Sequence, residues 1–213
     1  MSTLFCLDVN NGQTLWSASY KSEKFAIANP GGPGSTPVID RDRVYSLGGG
    51  GQLLCHRADS GTLMWTKQVT SELDVKVPTW GFSGSPVIVD NMLLIDLGRI
   101  VALDKNSGTL IWRTQDYGAS YSTPRPFAIK GSTYIAVFPK MGLYVLDMTG
   151  QELASFDWTT KYDVNAATPI VKGNRFFISS GYGTGGAMLR WEPDGLKEQW
   201  RNREMRNQMD TCI

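Results

Sequence analysis

An all-β repeat fold is predicted by three observations. The 213-residue chain is rich in turn formers and aromatics, with 23 Gly, 7 Trp and only 19% charged residues, where globular domains usually carry ~25%. A pattern recurs along its whole length at intervals of about 45 residues, a spacing typical of repeat architectures. Within each interval, four short apolar runs are separated by turn residues, as in strands, without the longer period of an amphipathic helix.

The elements follow in order. Residues 4–8 read Leu-Phe-Cys-Leu-Asp, and after the turn glycine Gly12 comes Gln-Thr-Leu-Trp, ending at Trp16. The same string returns at 53–65, ending at Trp65, and at 101–112, ending at Trp112. Two weaker copies follow, one at 143–150 that loses its Trp, and one at 188–200 that keeps Gly195 and Trp200. The turn glycines Gly12, Gly61, Gly108, Gly150 and Gly195 are 49, 47, 42 and 45 residues apart. Glycine there fits the left-handed position of a short hairpin loop. Trp four residues later is large enough to wedge between neighbouring units, and its buried N–H then needs a backbone acceptor.

A second motif runs in phase with the first. It reads Gly34-Ser35-Thr36-Pro37-Val38-Ile39, then Gly84-Ser85-Pro86-Val87-Ile88, Ser122-Thr123-Pro124, and Ala167-Thr168-Pro169-Ile170-Val171. A further copy begins at Thr211. Proline is tolerated at the first residue of a strand, where no ladder donor is needed. Apolar runs follow at 44–47, 93–95, 134–137 and 176–178.

Four strands in each unit of about 45 residues make a β-propeller blade of antiparallel strands. Residues 1–20 supply the second half of one blade. Full blades are expected at 34–70, 83–115, 121–158 and 166–201, and 205–213 starts the next. That makes nineteen strands, where a closed five-blade ring needs about twenty. Both ends fall inside a repeat with no capping unit of the kind open arrays require. The expectation is one incomplete propeller, an arc of roughly four to five blades cut from a larger ring.

These residues resemble the pyrroloquinoline-quinone-type (PQQ-type) propeller repeat, close to A-x-D-x-x-T-G-x-x-x-W. Ala102 to Trp112 matches it almost throughout, while Cys6 replaces the Ala of the first copy and Arg57 the Asp of the second. The strings 78–86, 162–169 and 179–185 resemble bacterial PQQ-binding-like propeller proteins. The repeat is also similar to that of outer-membrane assembly lipoprotein B, a scaffold without chemistry. The resemblance implies about eight blades and a periplasmic or exported location, although residues 1–7 show no signal peptide.

Little in the sequence supports catalysis. A single histidine, His56, excludes His-rich zinc sites. The cysteines Cys6, Cys55 and Cys212 are far apart, so the adjacent-cysteine disulfide of PQQ-dependent dehydrogenases is absent, as is Cys-x-x-Cys-His. Cys6 and Cys55 take the same place in successive repeats and read as reduced, buried packing residues. The run Gly48 to Gly51 lacks the Lys-Ser/Thr of a phosphate loop and reads as a loose hairpin turn. No cofactor is expected; PQQ with Ca²⁺ belongs only to the alternative reading, a quinoprotein dehydrogenase-like enzyme.

A net charge of +1 argues against nucleic acid, and no apolar run reaches the ~18 residues of a membrane span. What remains is a non-catalytic scaffold whose loops bind a protein or polysaccharide. The long connections between blades carry the candidates: Asn29, Asp74, Trp80, Tyr117, Tyr121, Asp163, Asn165 and Arg206, with Asp116, Lys161 and Tyr162 beside them. An arc with open ends is also expected to self-associate.

Overall fold

The computed structural model describes residues 1–22, 34–209 and 211. Among the described residues, eighteen strands form five antiparallel sheets, each a simple up-and-down meander. A two-stranded half-blade, β1 (Ser2–Leu7) and β2 (Thr14–Tyr20), comes first. Blade I holds β3 (Val38–Asp40), β4 (Arg43–Leu47), β5 (Gln52–Arg57) and β6 (Leu63–Gln68), and a single helical turn, α1 (Val69–Glu72), follows it. Blade II holds β7 (Val87–Val89), β8 (Met92–Asp96), β9 (Ile100–Asp104) and β10 (Leu110–Arg113). Blade III holds β11 (Arg125–Ile129), β12 (Ser132–Val137), β13 (Gly142–Leu146) and β14 (Glu152–Asp157). Blade IV holds β15 (Ile170–Lys172), β16 (Arg175–Ser180), β17 (Gly185–Glu192) and β18 (Gly195–Asn202). This is the incomplete all-β propeller that the repeat predicts. The expected nineteenth strand falls at 209–213, where only 209 and 211 are described.

In blades I, II and III the third strand is apolar and lies against a described sheet on each face, so β5, β9 and β13 are buried almost throughout. The core is correspondingly three clusters, one at each junction between complete blades. Each third-to-fourth hairpin carries an extra residue beside its repeat position, with register shifts after Cys6, Cys55, Val145 and Met188 and between Leu110 and Trp112. The bulge goes with a turn glycine at positive φ, 73° at Gly12, 69° at Gly61 and 71° at Gly108.

The Trp residues act as wedges. Trp16, Trp65 and Trp112 donate their indole N–H to the carbonyls of Ala58, Lys105 and Met148 in the next blade, at 2.9, 3.2 and 2.9 Å. Each ring lies on the turn glycine of that blade. A Cβ on Gly61 would sit 2.5 Å from Trp16, one on Gly108 3.0 Å from Trp65, and one on Gly150 2.5 Å from Trp112. Glycine is therefore required twice over, for the left-handed turn and as the seat of the indole.

Blade III has Ala154 at the wedge position. Its junction is held from the other side, by Trp191 of β17 edge-on to Phe127 and Tyr134, ring centroids 6.3 and 5.0 Å apart. The fourth wedge expected, Trp200, has no seat among the described residues; its ring lies against Phe177 of its own sheet, at 5.9 Å.

A second seam runs along the inner edge. The amide of the residue before each strand-opening proline donates to the hydroxyl at the equivalent position one blade on. Thr36 donates to Ser85, Ser85 to Thr123, Thr123 to Thr168 and Thr168 to Thr211, at 2.9, 3.0, 3.2 and 3.1 Å. Thr211 thus occupies the start of the further copy.

Candidate binding face

Antiparallel meanders place second-to-third turns and interblade connections at the same end of every blade. The two are laced together. Val69 donates to the carbonyl of Gly51, Phe82 to Gly49, Tyr117 to Gly98 and Lys140 to Ala119, all at 2.8–3.0 Å. The Gly48–Gly51 turn is therefore pinned by the connection around it, with Gly51 also donating to Gly48 at 2.8 Å; it is not the loose turn its composition suggests.

Two of the eight candidate surface residues belong to the interior. Tyr117 is 2% exposed, stacks on Tyr144 with centroids 4.0 Å apart, and donates its hydroxyl to Glu152 at 3.1 Å. Burial and the adjacent carboxylate push its phenol pKa upward. Asn165 is fully buried. Its amide donates to the carbonyls of Pro139 and Trp158, at 2.8 and 3.2 Å, while its oxygen accepts from Ser180 at 2.7 Å. Ser180 in turn accepts from the Trp158 indole at 3.0 Å. In a connection that must cross a blade end, such side chains satisfy backbone carbonyls that no ladder reaches. Loop polarity alone does not distinguish that duty from recognition.

Of the rest, Asn29 lies outside the described residues. Asp74, Asp163 and Arg206 are exposed. Asp163 takes a left-handed φ of 57° and pairs with Lys140 at 2.8 Å. Trp80 is 46% exposed and leans on half-buried Tyr121, ring centroids 5.6 Å apart. Burial raises the Tyr121 pKa, and the Asp163 charge adds to the rise. The Tyr121 amide reaches the Asn165 carbonyl at 3.4 Å. The structure thus brings Trp80, Tyr121 and Asp163 together across blades II and III.

A second aromatic pair adjoins them on blade IV. Tyr162, 51% exposed, meets Tyr182, 43% exposed, edge to face at 4.7 Å. Lys161 lies 5.2 Å over the Tyr162 ring, and Gln208 donates to the Tyr182 hydroxyl at 3.1 Å. Tyr182 is missing from the sequence candidates. It holds φ of 56° between two glycines, an uncommon place for a bulky residue; a tyrosine inside the Gly-Tyr-Gly turn is the signal that points to it.

His56 is buried in β5, its Nδ1 has no hydrogen-bond partner, and burial lowers its pKa. Among the described residues no three His, Cys, Asp or Glu side chains group as metal ligands. Cys55 is buried and Cys6 half-buried, both free thiols in the third strands of separate sheets. Among the described residues β1 pairs only with β2, and Cys6 is less covered than expected.

Comparison with known proteins agrees with this architecture. The outer membrane protein assembly factor BamB of Kangiella koreensis is 28% identical over 182 residues, 83% of this chain and 43% of its own length. The chain therefore spans less than half of the curated relative it matches. The crystal structure of BamB from Moraxella catarrhalis superposes with a TM-score of 0.64 at 19% identity, over 96% of this chain and 56% of that one. The quinohemoprotein alcohol dehydrogenase of Comamonas testosteroni superposes with a TM-score of 0.66 at 13% identity, over 96% and 40%. At these identities the two structures establish the shared fold. The family model described as outer membrane protein assembly factor BamB matches residues 1–212, and with the PQQ-type repeat present throughout, the chain belongs to that family.

Proposed function

We propose that the chain is a non-catalytic propeller scaffold, exported from the cytoplasm, that binds a protein partner through the loop face bearing Trp80, Tyr121, Tyr162 and Tyr182. The observation that carries this reading is a division of labour among loop residues. Tyr117 and Asn165 are sunk to fix the connections, while Trp80, Tyr162 and Tyr182 are left roughly half exposed on them. Rigidly held aromatics over a polar rim are the usual energetic centre of a protein interface. The relatives' name supplies the partner class, a protein engaged in outer membrane protein assembly. Asp163, Asp74 and Arg206 supply charges around the aromatics that select the partner.

Site-specific photocrosslinking in the native host tests this. A photoreactive residue at Trp80 or Tyr162 should give one discrete protein adduct. The same residue at Arg41 or Asp90, in the turns at the opposite blade ends, should give none. Adducts from Arg41 or Asp90 alone would transfer the binding face to the other side. Adducts to polysaccharide in place of protein would change the partner class.

A further inference from the structure

At each junction between complete blades the same three sequence positions recur. Two face each other across the first and second strands. The third comes from the next blade, three residues past the one opposite the wedge. Between blades II and III they are Val89, Met92 and Met148, packed in one apolar cluster. Between blades III and IV they are Phe127, Tyr134 and Trp191, an aromatic cluster. Between blades I and II they are Asp40, Arg43 and Lys105. The Lys105 ammonium pairs with Asp40 at 2.7 Å, and Arg43 donates to the Asn106 carbonyl at 3.1 Å. These three side chains are only 23, 19 and 15% exposed. Burying charge costs desolvation, and apolar residues in its place are often as stable or more so. Both other junctions use that apolar solution, so the architecture does not require the charges. They line a cavity of about 340 Å³ among the turns of blades I and II, at the blade ends opposite the loop face. Arg41 and Asp42 of the β3–β4 turn and Asp90 of the β7–β8 turn add to the lining. Arg41 and Asp90 hold left-handed φ of 55° and 52°, and neither side chain has a partner among the described residues. Asp42 comes only within 3.8 Å of Arg43. The walls are tied together: Lys105 also donates to the Asp90 carbonyl at 2.8 Å, and the Asn106 amide donates to the Asn91 side chain at 3.0 Å.

We propose that this cavity is a binding site for a small zwitterion, a free amino acid. Its carboxylate goes to Arg41, whose guanidinium donors are unspent and match a carboxylate in fork geometry, with Arg43 as the second cation. Its ammonium goes to Asp90 and Asp42, carboxylates that no cation closely neutralises. The lining holds three acidic and three basic side chains, Asp40, Asp42 and Asp90 against Arg41, Arg43 and Lys105. It is therefore neutral as a whole and favours neither a lone anion nor a lone cation, whereas both ends of a zwitterion find partners. The volume lies at the lower end of ligand sites, roughly 300–1,000 Å³, which suits an amino acid and is too small for a folded partner. The tied walls hold the turns in place before the ligand arrives, which lowers the ordering cost of binding. This site is independent of the loop-face partner: it lies at the other blade ends, and a bound amino acid gives no protein adduct from Arg41 or Asp90.

Calorimetric titration of the 213-residue chain with a panel of free L-amino acids tests it. At least one should bind saturably at one site per chain. Its N-acetylated form and its C-terminal amide should each bind at least about tenfold more weakly, since each loses one charged end. Arg41→Gln and Asp90→Asn, both at exposed turn positions, should weaken binding by a similar factor and leave the melting temperature unchanged. The triple variant Asp40→Val, Arg43→Met, Lys105→Met gives this junction the residues of the next one. It should lose the binding and melt no lower than wild type. No binding by any amino acid at millimolar concentration, or modified forms that bind as well as the parent, would overturn the proposal. Binding that survives in Arg41→Gln and Asp90→Asn would also overturn it, by placing the ligand elsewhere on the molecule. Tighter binding of succinate than of any amino acid would do so by making the cavity an anion site. A triple variant that melts far below wild type would assign the charges to the junction itself, and that too would overturn the reading.

Discussion

At the scale of single residues, Asp96 is the group whose chemistry is least at ease. It closes β8 beneath the loop face, 2% exposed, with one oxygen accepting from the Gly98 amide at 2.9 Å and the other unpartnered. Burial, helped by the Asp116 charge and opposed by the Gly98 amide and the Ser120 hydroxyl, lifts its pKa from 3.8 to about 7. The sign of the consequence is fixed. Between about pH 4 and 7 the folded chain keeps this proton while the unfolded chain releases it, so stability falls as pH rises through that window. The full difference corresponds to roughly 4 kcal/mol above pH 7. Asp96→Asn retains the acceptor for Gly98 and cannot ionise. Its melting temperature should exceed wild type at pH 8 and approach it at pH 4. Equal gains at both pH values would show that packing, not charge, is what the variant relieves. His56 has the opposite slope. Its buried neutral ring is harder to protonate than in the unfolded chain, so it withdraws stability as pH falls below its ordinary value of 6.5.

At the scale of elements, the inner seam explains a residue choice that repeat glycines and tryptophans do not. Ser or Thr stands before each of the four strand-opening prolines, at Thr36, Ser85, Thr123 and Thr168, and Thr211 takes the equivalent place ahead of Cys212. Each of the last four supplies an acceptor to an amide that its own sheet leaves free. Thr123→Val keeps the shape and strands the partly buried Ser85 amide, which should cost about 1–2 kcal/mol in chemical denaturation. Thr123→Ser keeps the acceptor and should be nearly neutral. Equal losses in both variants would point to methyl packing instead. This level also marks where sequence reading stops. Strand positions, hairpin-turn glycines and three wedges were legible because glycine, proline and tryptophan each answer a local backbone or packing demand. The seam was written in the sequence as plainly but carries no local meaning: a hydroxyl before proline is explained only by a neighbour about 45 residues away. The Ala154 junction was illegible for the converse reason, since Trp191, which replaces the missing wedge, comes from the next blade. On the loop face, Trp80 and Asp163, drawn from the connections as surface candidates, are exposed. Tyr117 and Asn165, drawn from the same connections, are buried, because composition says nothing about which way a loop side chain turns.

At the scale of the whole molecule, stability is distributed by how many flanks each sheet has covered. Blades I, II and III each lie between two described sheets, and their third strands are buried on both faces. The half-blade has one covered flank and half the strands, and the contrast is visible at equivalent positions. Leu54 and His56 in blade I are buried, while Phe5 and Leu7, one repeat earlier, are exposed. In a stacked repeat, local stability is close to the sum of each unit and its neighbour contacts, so openings start at the least-contacted unit. Native-state hydrogen exchange at low concentration should therefore rank the amides of β1 and β2 fastest among the strands and those of β5, β9 and β13 slowest. The amides of β17 and β18, whose sheet has one described neighbour but all four strands, should fall between the two. Uniform exchange across all strands would instead mean that the half-blade opens only with the whole molecule, coupled to the core more tightly than its single covered flank allows.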